Sequence, residues 1–159
     1  MGVTGAGKTT VGKLLARELG WRFLDADSFH SPANIAKMTR GFPLTDSDRE
    51  PWLKSIHTEL LECARKKENA VLACSALKQR YRDLLAAGMD LKICFLKGAH
   101  GEIAARLHAR RGHFADDSIL AGQFADLEEP SDALVLPVGE APETVVREAL
   151  RKLNLTPSL

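Results

Sequence analysis

The first nine residues of the chain, Met-Gly-Val-Thr-Gly-Ala-Gly-Lys-Thr, constrain its fold more than any other stretch. Gly2, Gly7, Lys8 and Thr9 match the pattern G-x-x-x-x-G-K-[ST], which is typical of a phosphate-binding loop, or P-loop. Glycines allow successive backbone N–H groups to turn towards phosphate oxygens, and the positive end of the next helix faces the same anion. The stretch therefore predicts nucleotide binding at a loop between a buried strand and a helix.

The loop pattern also predicts what its side chains do. Lys8 is expected to reach the β- and γ-phosphates, and the hydroxyl of Thr9 is expected to ligate Mg²⁺. The other loop positions expected around the phosphates are Gly2, Thr4, Gly5, Ala6, Gly7 and Thr10. A helix should follow and end at Gly20, because apolar side chains recur on one face of residues 11–19.

The rest of the chain alternates short apolar runs with helical patterns, which is typical of an α/β fold with a parallel sheet. Strands are expected over residues 21–25, 70–74, 91–96 and 133–138. Helices are expected over residues 33–39, 45–66, 101–111 and 118–125, and from about residues 75 and 142 onward.

A P-loop normally follows a buried strand, but this sequence starts inside the loop motif. That strand would be the fifth, and it would be central in this fold class. We therefore expect the coding sequence to start upstream of Met1 and to add about five to ten apolar residues, the usual length of a strand.

Length and composition limit the class of protein. With 159 residues and 45% hydrophobic content, we expect one domain, residues 1–159, with a proper core. The 22 basic and 21 acidic residues nearly cancel, which argues against nucleic acid or an anionic membrane as the main partner. No apolar run approaches the ~20 residues that span a bilayer, and the three unclustered cysteines are typical of a reduced protein, so we expect a cytoplasmic location.

Two acidic residues come directly after the first complete strand. Asp25 and Asp27 lie at the carboxyl end of that strand, where α/β folds of this kind bind their ligands. Asp25 could hold Mg²⁺ through a water, and Asp27 could accept the proton of an attacking hydroxyl. Phosphoryl transfer needs little more, because positioning and charge neutralisation supply most of the catalysis. The alternative is that both are solvated loop acids.

A group of basic residues follows the predicted strand ends and comprises His30, Arg49, Lys78, Arg80 and Arg82. Lys78 and Arg82 are four residues apart and would share one helix face. Such a face could bind an anionic acceptor, for example a carboxylate. Alternatively, some of these cations are ordinary charges on a solvated helix surface.

A second basic group precedes a glycine-containing polar loop. Arg106 and Arg110 lie one turn apart on one face of a predicted helix, just before Gly112. We expect them to contact the phosphates as part of a lid over about residues 106–125, with Arg110 acting in catalysis and the lid excluding water. The alternative is a basic helix end that interacts with the helix dipole.

Several signatures of other P-loop proteins are absent from the sequence. There is no Asn/Thr-Lys-x-Asp guanine-reading motif and no Leu-Ser-Gly-Gly-Gln transporter signature, and the chain is too short for a helicase or motor core. The remaining class is a small kinase that acts on a soluble metabolite.

Beyond the P-loop, blocks along almost the whole chain resemble those of the gluconokinase family. The most family-specific are Gly41 to Leu53, which contains Pro-Leu-Thr-Asp-Ser-Asp-Arg-Glu-Pro-Trp-Leu, and Leu72 to Lys78. The others are Asp25-Ala-Asp27 with Phe29 and His30, Asn34 to Met38, Tyr81 to Asp83, Lys97-Gly98, Arg110 to Phe114 and Gln123 to Pro130.

The resemblance implies a nucleoside-monophosphate-kinase-like fold, with a five-stranded parallel sheet flanked by helices and covered by a lid. It implies transfer of the γ-phosphate of ATP to the 6-hydroxyl of D-gluconate, with Mg²⁺. It also implies that Asp27 orients the acceptor hydroxyl, and that His30, Arg49 and Lys78 contact gluconate. Family members are commonly dimers, so a homodimer is expected.

Two other functions remain open at this point. The chain could phosphorylate another small hydroxy or sugar acid, as a shikimate-kinase-like enzyme does. It could also be a non-catalytic nucleotide-binding protein if its first strand is truly absent, although Lys8, Thr9 and Asp27 argue against this.

Overall fold

The computed structural model describes residues 1–111 and 116–158, without the side chains of residues 110, 111 and 116. The elements are α1 (Lys8–Leu19), β1 (Arg22–Asp25), a 3₁₀ turn (Ala26–Phe29), α2 (Pro32–Thr39), α3 (Asp46–Arg65), β2 (Ala70–Ala73), α4 (Gln79–Ala86), β3 (Cys94–Lys97), α5 (His100–Arg111), α6 (Asp116–Asp126), β4 (Leu134–Pro137) and α7 (Pro142–Leu153). The predicted α/β class is confirmed. Most expected elements are present within one or two residues of their predicted ends, but α4 begins at Gln79 and not near residue 75, and β3 begins at Cys94 and not at residue 91.

The strands pair in parallel, as predicted. In the first pair β1 lies beside β2, with Arg22 opposite Ala70, and in the second pair β3 lies beside β4, with Cys94 opposite Leu134. The described part of the chain therefore contains four strands in two pairs, where the resemblance implied a continuous sheet of five.

The start of the P-loop lies between the two pairs of strands. The Met1 ammonium donates a hydrogen bond to the Cys94 carbonyl (2.5 Å), and the Leu96 N–H donates to the Met1 carbonyl (2.9 Å). On the other side, the Gly2 N–H donates to the Ser75 carbonyl, just beyond β2 (3.3 Å). Met1 and Gly2 thus hold the central position that the fold class assigns to the strand before a P-loop.

A cavity of about 500 Å³ lies beside Met1 between the strand pairs. Apolar side chains from several helices, strands and loops line this cavity, among them Leu19, Leu60, Val71 and Ile93. The expectation that further apolar residues precede Met1 stays a prediction.

Two buried clusters position the site. Behind the P-loop, Val3 and Ala6 pack with Ile103 and Leu107 of α5 and with Leu120 of α6. The loop backbone is therefore supported from below by two helices, because these apolar side chains leave water only by packing together.

The second buried cluster centres on α3. Trp52, Leu53 and Ile56 pack against Leu24 and Ala26, at the end of β1. This packing holds the end of β1 and the turn after it, which carry the two predicted acidic residues, against a long helix.

The beginning of α3 is determined by local chemistry. The side chain of Thr45 accepts a hydrogen bond from the Asp48 N–H, and the Asp48 carboxylate accepts one from the Thr45 N–H, which together form a capping box. Hydrogen bonds from Lys37 and from Thr45 lower the pKa of Asp48 to about 2. The Asn34 side chain donates to the Asp48 carbonyl (2.9 Å), so Asp48 also joins the start of α3 to α2.

Within residues 1–111 and 116–158, no helix combines the length and the apolar character that crossing a membrane requires.

Candidate active site

Two glycines shape the P-loop. Gly5 and Gly7 have φ angles of +78° and +93°, which side-chain-bearing residues rarely adopt. A Cβ on Gly5 would lie 2.7 Å from Cγ of Leu107, so α5 approaches the loop too closely for any larger residue. Gly7 caps α1, and its carbonyl accepts the first helical hydrogen bond from Val11 (2.9 Å).

The loop borders a cleft of about 230 Å³ at the ends of β1 and β2. The cleft is lined by Thr4, Gly5, Gly7, Lys8, Thr9, Thr10, Asp25, Asp27, Ala73, Cys74, Ser75 and Gln123. The structure thus brings most of the predicted loop residues together with both predicted acids. Gly2 and Ala6 do not line the cleft: Ala6 is buried behind it, and Gly2 bonds to Ser75.

Lys8 extends along the inside of the loop. Its Nζ donates a hydrogen bond to the Val3 carbonyl (2.9 Å). Burial lowers the pKa of Lys8 from its ordinary value, and the carboxylates of Asp27 and Asp25 oppose that shift. The cleft therefore sets one ammonium group between the P-loop and two carboxylates.

Asp25 is held in one orientation by the residues around it. Thr9 Oγ1 donates to Asp25 Oδ2 (3.2 Å), and the Asp27 N–H donates to Asp25 Oδ1 (3.1 Å). Hydroxyl and carboxylate oxygens are the ligand types that Mg²⁺ prefers, and here the two lie side by side in the cleft. The residues present at this position fit the predicted metal site.

His30 lies against the helix that also supports the acidic turn. Its ring stacks on Trp52, with centroids 4.5 Å apart and planes 11° apart. Burial lowers the pKa of His30, the nearby carboxylate of Asp27 raises it, and the guanidinium of Arg49 lowers it. His30, Asp27 and Arg49 therefore belong to one electrostatic neighbourhood.

Arg49 and Lys78 come together next to this neighbourhood. Lys78 Nζ lies 3.4 Å from an Asp46 carboxylate oxygen and 3.5 Å from one of Asp126. Arg49 Nη1 lies 3.8 Å from Asp46 and 3.9 Å from Asp126, and it donates to the Tyr81 hydroxyl (3.2 Å). The predicted acceptor cations are thus adjacent, and two carboxylates share them.

Asp46 organises this cation group. Its carboxylate accepts hydrogen bonds from the Tyr81 hydroxyl and from Lys78, and it forms an ion pair with Arg80. These interactions, the one from Tyr81 being the strongest, lower the pKa of Asp46 well below its usual range. Asp46 therefore remains charged and keeps the cations in a fixed arrangement.

Arg82 does not join the group that sequence reasoning assigned to it. The side chain is only 2% exposed, and its Nη1 donates to the carbonyls of Ala76 and Leu77 (2.9 Å each). Nη2 donates to Gln79 Oε1 (2.7 Å). Lys78 lies before the first residue of α4, so it and Arg82 do not share a helix face; Arg82 supports the turn between β2 and α4.

Of the two predicted lid arginines, the structure describes the side chain of Arg106 only. Arg106 is half-buried and forms an ion pair with Glu102 (4.0 Å), and it does not line the cleft. The side chain of Arg110 and residues 112–115 of the predicted lid lie outside the described part of the chain.

Comparison with known proteins places this geometry in a family. The sequence model of the family described as shikimate kinase matches residues 4–153. A gluconokinase of Gluconobacter oxydans (strain 621H) is 47% identical over 156 residues, which cover 95% of this chain and 87% of that protein. The chain belongs to the gluconokinase family.

Two further relatives agree with this assignment. The thermoresistant gluconokinase of Escherichia coli (strain K12) is 41% identical over 97% of the chain and 91% of its own length. The crystal structure of a gluconokinase from Sinorhizobium meliloti 1021 superposes with a TM-score of 0.88 at 42% identity, over 97% of this chain and 89% of that one. As a gluconokinase-family protein, the chain has the α/β P-loop kinase fold and is a kinase.

Sequence reasoning did not assign a site role to Gln123, Asp46 or Asp126. Gln123 and Asp46 appeared only as members of blocks shared with the gluconokinase family. Their partners lie far away in the sequence, so no local pattern could have predicted these contacts.

Proposed function

We propose that this gluconokinase-family protein transfers the γ-phosphoryl group of ATP to the 6-hydroxyl of D-gluconate, producing 6-phospho-D-gluconate and ADP. The observation that carries this proposal is the convergence of Lys8, Thr9, Asp25 and Asp27 on one cleft, beside the paired cations Arg49 and Lys78. The gluconokinases of Gluconobacter oxydans and Escherichia coli support the choice of substrate.

The P-loop residues provide the site for the nucleotide phosphates. The backbone N–H groups around Gly5 and Gly7, together with the Lys8 ammonium, hold the phosphate oxygens. Thr9, and Asp25 through a water, would hold Mg²⁺, which neutralises charge on the phosphates when it is bound. Burial strengthens the attraction between Lys8 and a phosphate, because the surrounding dielectric is lower than that of water.

Asp27 is the residue that receives the acceptor proton. As the hydroxyl oxygen forms a bond to the γ-phosphorus, the bond from that phosphorus to the ADP oxygen breaks, and the hydroxyl proton passes to the Asp27 carboxylate. The 3₁₀ turn keeps this carboxylate beside Asp25, because the Asp27 N–H is bonded to the Asp25 side chain (3.1 Å).

Arg49 and Lys78 recognise the carboxylate of gluconate, and His30 contacts its hydroxyl groups. A guanidinium can hold a carboxylate with two parallel hydrogen bonds, which fixes the orientation of the acceptor. Asp46 supports these cations from behind through Lys78, Arg80 and the Tyr81 hydroxyl.

Further expectations belong to the same proposal. Residues 1–159 form one kinase domain, Arg106 and Arg110 contact the phosphates from a lid over about residues 106–125, and the protein is a cytoplasmic homodimer. Light scattering of the purified protein tests the dimer, and Arg106→Met with Arg110→Met tests the lid contacts through the KM for ATP.

An acceptor panel tests the function. ADP release is measured with Mg²⁺ and ATP in the presence of D-gluconate, shikimate, D-glucose and other sugar acids, and phosphogluconate is identified by its mass. We expect turnover with gluconate in the wild type and none in a folded Lys8→Met variant. Turnover with shikimate or another acid but not with gluconate would contradict the proposal that gluconate is the substrate. Nucleotide binding without any turnover would contradict the proposal that the protein is an active kinase.

A further inference from the structure

One side chain in the phosphate cleft comes from a distant helix. Gln123 of α6 lines the cleft together with Lys8 and Thr9, and its Oε1 accepts a hydrogen bond from the Thr4 N–H (2.6 Å). The other described lining residues belong to the P-loop and the start of α1, or lie at the ends of β1 and β2 and just after them. Gln123 is therefore a contact between α6 and the loop that holds the phosphates.

The position of Gln123 is well supported. Leu120, one turn earlier on α6, is 0% exposed and packs in the same cluster as Val3 and Ala6 beneath the loop. Phe124 packs against this cluster and contacts His100 of α5. Because this part of α6 is anchored, the Gln123 carboxamide is held at the cleft.

The same helix also reaches the acceptor cations. Asp126 lies three residues after Gln123, on the same side of α6, and its carboxylate is 3.5 Å from Lys78 and 3.9 Å from Arg49. Helix α6 therefore contacts both the P-loop, through Gln123, and the cations proposed for the acceptor, through Asp126. In the proposed reaction the phosphoryl group passes from the first of these places to the second.

The chemistry of the carboxamide suits this place. Its oxygen accepts a hydrogen bond from the Thr4 N–H. Backbone N–H groups of such loops are the donors that phosphate oxygens bind. Its Nε2 amide forms no hydrogen bond to another described residue, and two N–H bonds are available for donation. A donor placed where charge develops during transfer stabilises the transition state.

We propose that Gln123 is a further catalytic residue, whose Nε2 donates a hydrogen bond to an oxygen of the transferring phosphoryl group. When a phosphate oxygen takes the Thr4 N–H, the carboxamide gives up that contact and turns its donor towards the phosphoryl. This inference rests on the proposed kinase reaction.

Two substitutions distinguish the hydrogen-bond donor of Gln123 from its acceptor. Gln123→Glu keeps an acceptor for the Thr4 N–H but removes the donor, whereas Gln123→Ala removes both. We expect the melting temperature to be retained in Gln123→Glu, and kcat at saturating ATP and gluconate to fall by about 100-fold or more in both variants. Ser131→Glu, at an exposed position outside the proposed lid, also adds one negative charge and should retain the wild-type kcat.

A second measurement does not depend on turnover. Aluminium fluoride bound with Mg²⁺·ADP imitates the transferring phosphoryl group, and its effect on ADP affinity is compared in the wild type and in Gln123→Ala, which removes the donor without adding a charge to the cleft. We expect the added affinity to be lost in the variant, while ADP alone binds within about threefold of the wild type. A Gln123→Ala protein with wild-type kcat, or with undiminished aluminium fluoride binding, would overturn the proposal. Absence of gluconate turnover in the wild type would instead count against the proposed function, and the aluminium fluoride comparison would still decide the role of Gln123.

Discussion

Trp52 Nε1 donates a hydrogen bond to the Ala26 carbonyl over 2.7 Å, and both residues are buried. This bond ties α3 to the 3₁₀ turn that carries Asp27, while His30 stacks on the same indole. Arg49 lies near the start of the same helix. One helix therefore positions the proposed proton acceptor and part of the proposed acceptor site.

The tie predicts that Trp52→Phe lowers the stability of the protein. The change leaves the buried Ala26 carbonyl without its donor, which costs about 1–3 kcal/mol. At about 2–4 °C per kcal/mol for a chain of this size, we expect the melting temperature to fall by several degrees. Trp21→Phe, which removes an indole without a described hydrogen bond, is the matched control. Equal melting temperatures for the Trp52 variant and the wild type would contradict this account.

The two central residues of the cleft should respond differently to substitution. Lys8→Met should abolish transfer, because the phosphates lose their ammonium partner. Asp27→Asn should lower kcat by about 10²- to 10⁴-fold with little change in KM, since the amide cannot accept the acceptor proton. Steady-state kinetics check both, with the exposed Asp132→Asn as control. An Asp27→Asn enzyme with near-normal kcat would show that Asp27 is not the proton acceptor.

The acceptor cations should affect the affinity for gluconate and leave that for ATP unchanged. Arg49→Met and Lys78→Met each remove a charged hydrogen-bond donor, so the KM for gluconate should rise by about 10- to 100-fold. The exposed Arg17→Met, which also removes one positive charge, should leave both Michaelis constants unchanged. A rise in the KM for ATP of similar size would place these cations at the nucleotide instead.

The capping box of α3 should be visible in stability. Thr45→Ala removes the side-chain acceptor for the Asp48 N–H, at a cost of about 1 kcal/mol. The expected fall in melting temperature is about 2–4 °C. Thr58→Ala, in which the lost hydroxyl bonds only to the Lys54 carbonyl within α3, should change it less. Thermal unfolding followed by circular dichroism measures both variants. Equal falls in melting temperature would contradict the stabilising role of the capping box.

The buried thiol of Cys74 should make the fold sensitive to alkali. Burial raises the pKa of Cys74 from 9.0 to about 11, so the native state keeps a proton that the unfolded chain loses. The stability from this group is complete below pH 9 and is lost as the pH rises through about 11, by about 2–3 kcal/mol in total. Urea titrations between pH 8 and 11 should show a steeper loss for the wild type than for Cys74→Ala. An equal dependence of the unfolding free energy on pH in the two proteins would contradict the raised pKa of Cys74.

Sequence patterns predicted the features that depend on near neighbours. The P-loop follows from the spacing of its glycines and Lys8, and the helix expected from residue 45 agrees with α3, because each pattern is completed within a few residues. The alternation of elements predicted the α/β class for a similar reason. The resemblance to gluconokinases rested on short blocks and is confirmed by relatives that cover most of the chain.

The contrast between Lys78 and Arg82 shows where local reasoning stopped. Four-residue spacing placed both on one helix face, but the turn after β2 includes Ala76 at a φ of +44°, and α4 begins only at Gln79. Lys78 consequently faces Asp46 and Asp126, while Arg82 points inward to backbone carbonyls. The start of that helix is set by the turn geometry, which helical periodicity does not report.

By itself, the sequence determined the phosphate loop, the order of helices and strands, and the family. Only the tertiary structure decided that Gln123 meets Thr4, 119 residues away, and that Asp126 shares the cations Arg49 and Lys78. Such contacts depend on how α6 packs against the loop through Leu120. Burial of apolar surface drives that packing without specifying partners for polar groups, so the polar contacts emerge only when the whole core is assembled.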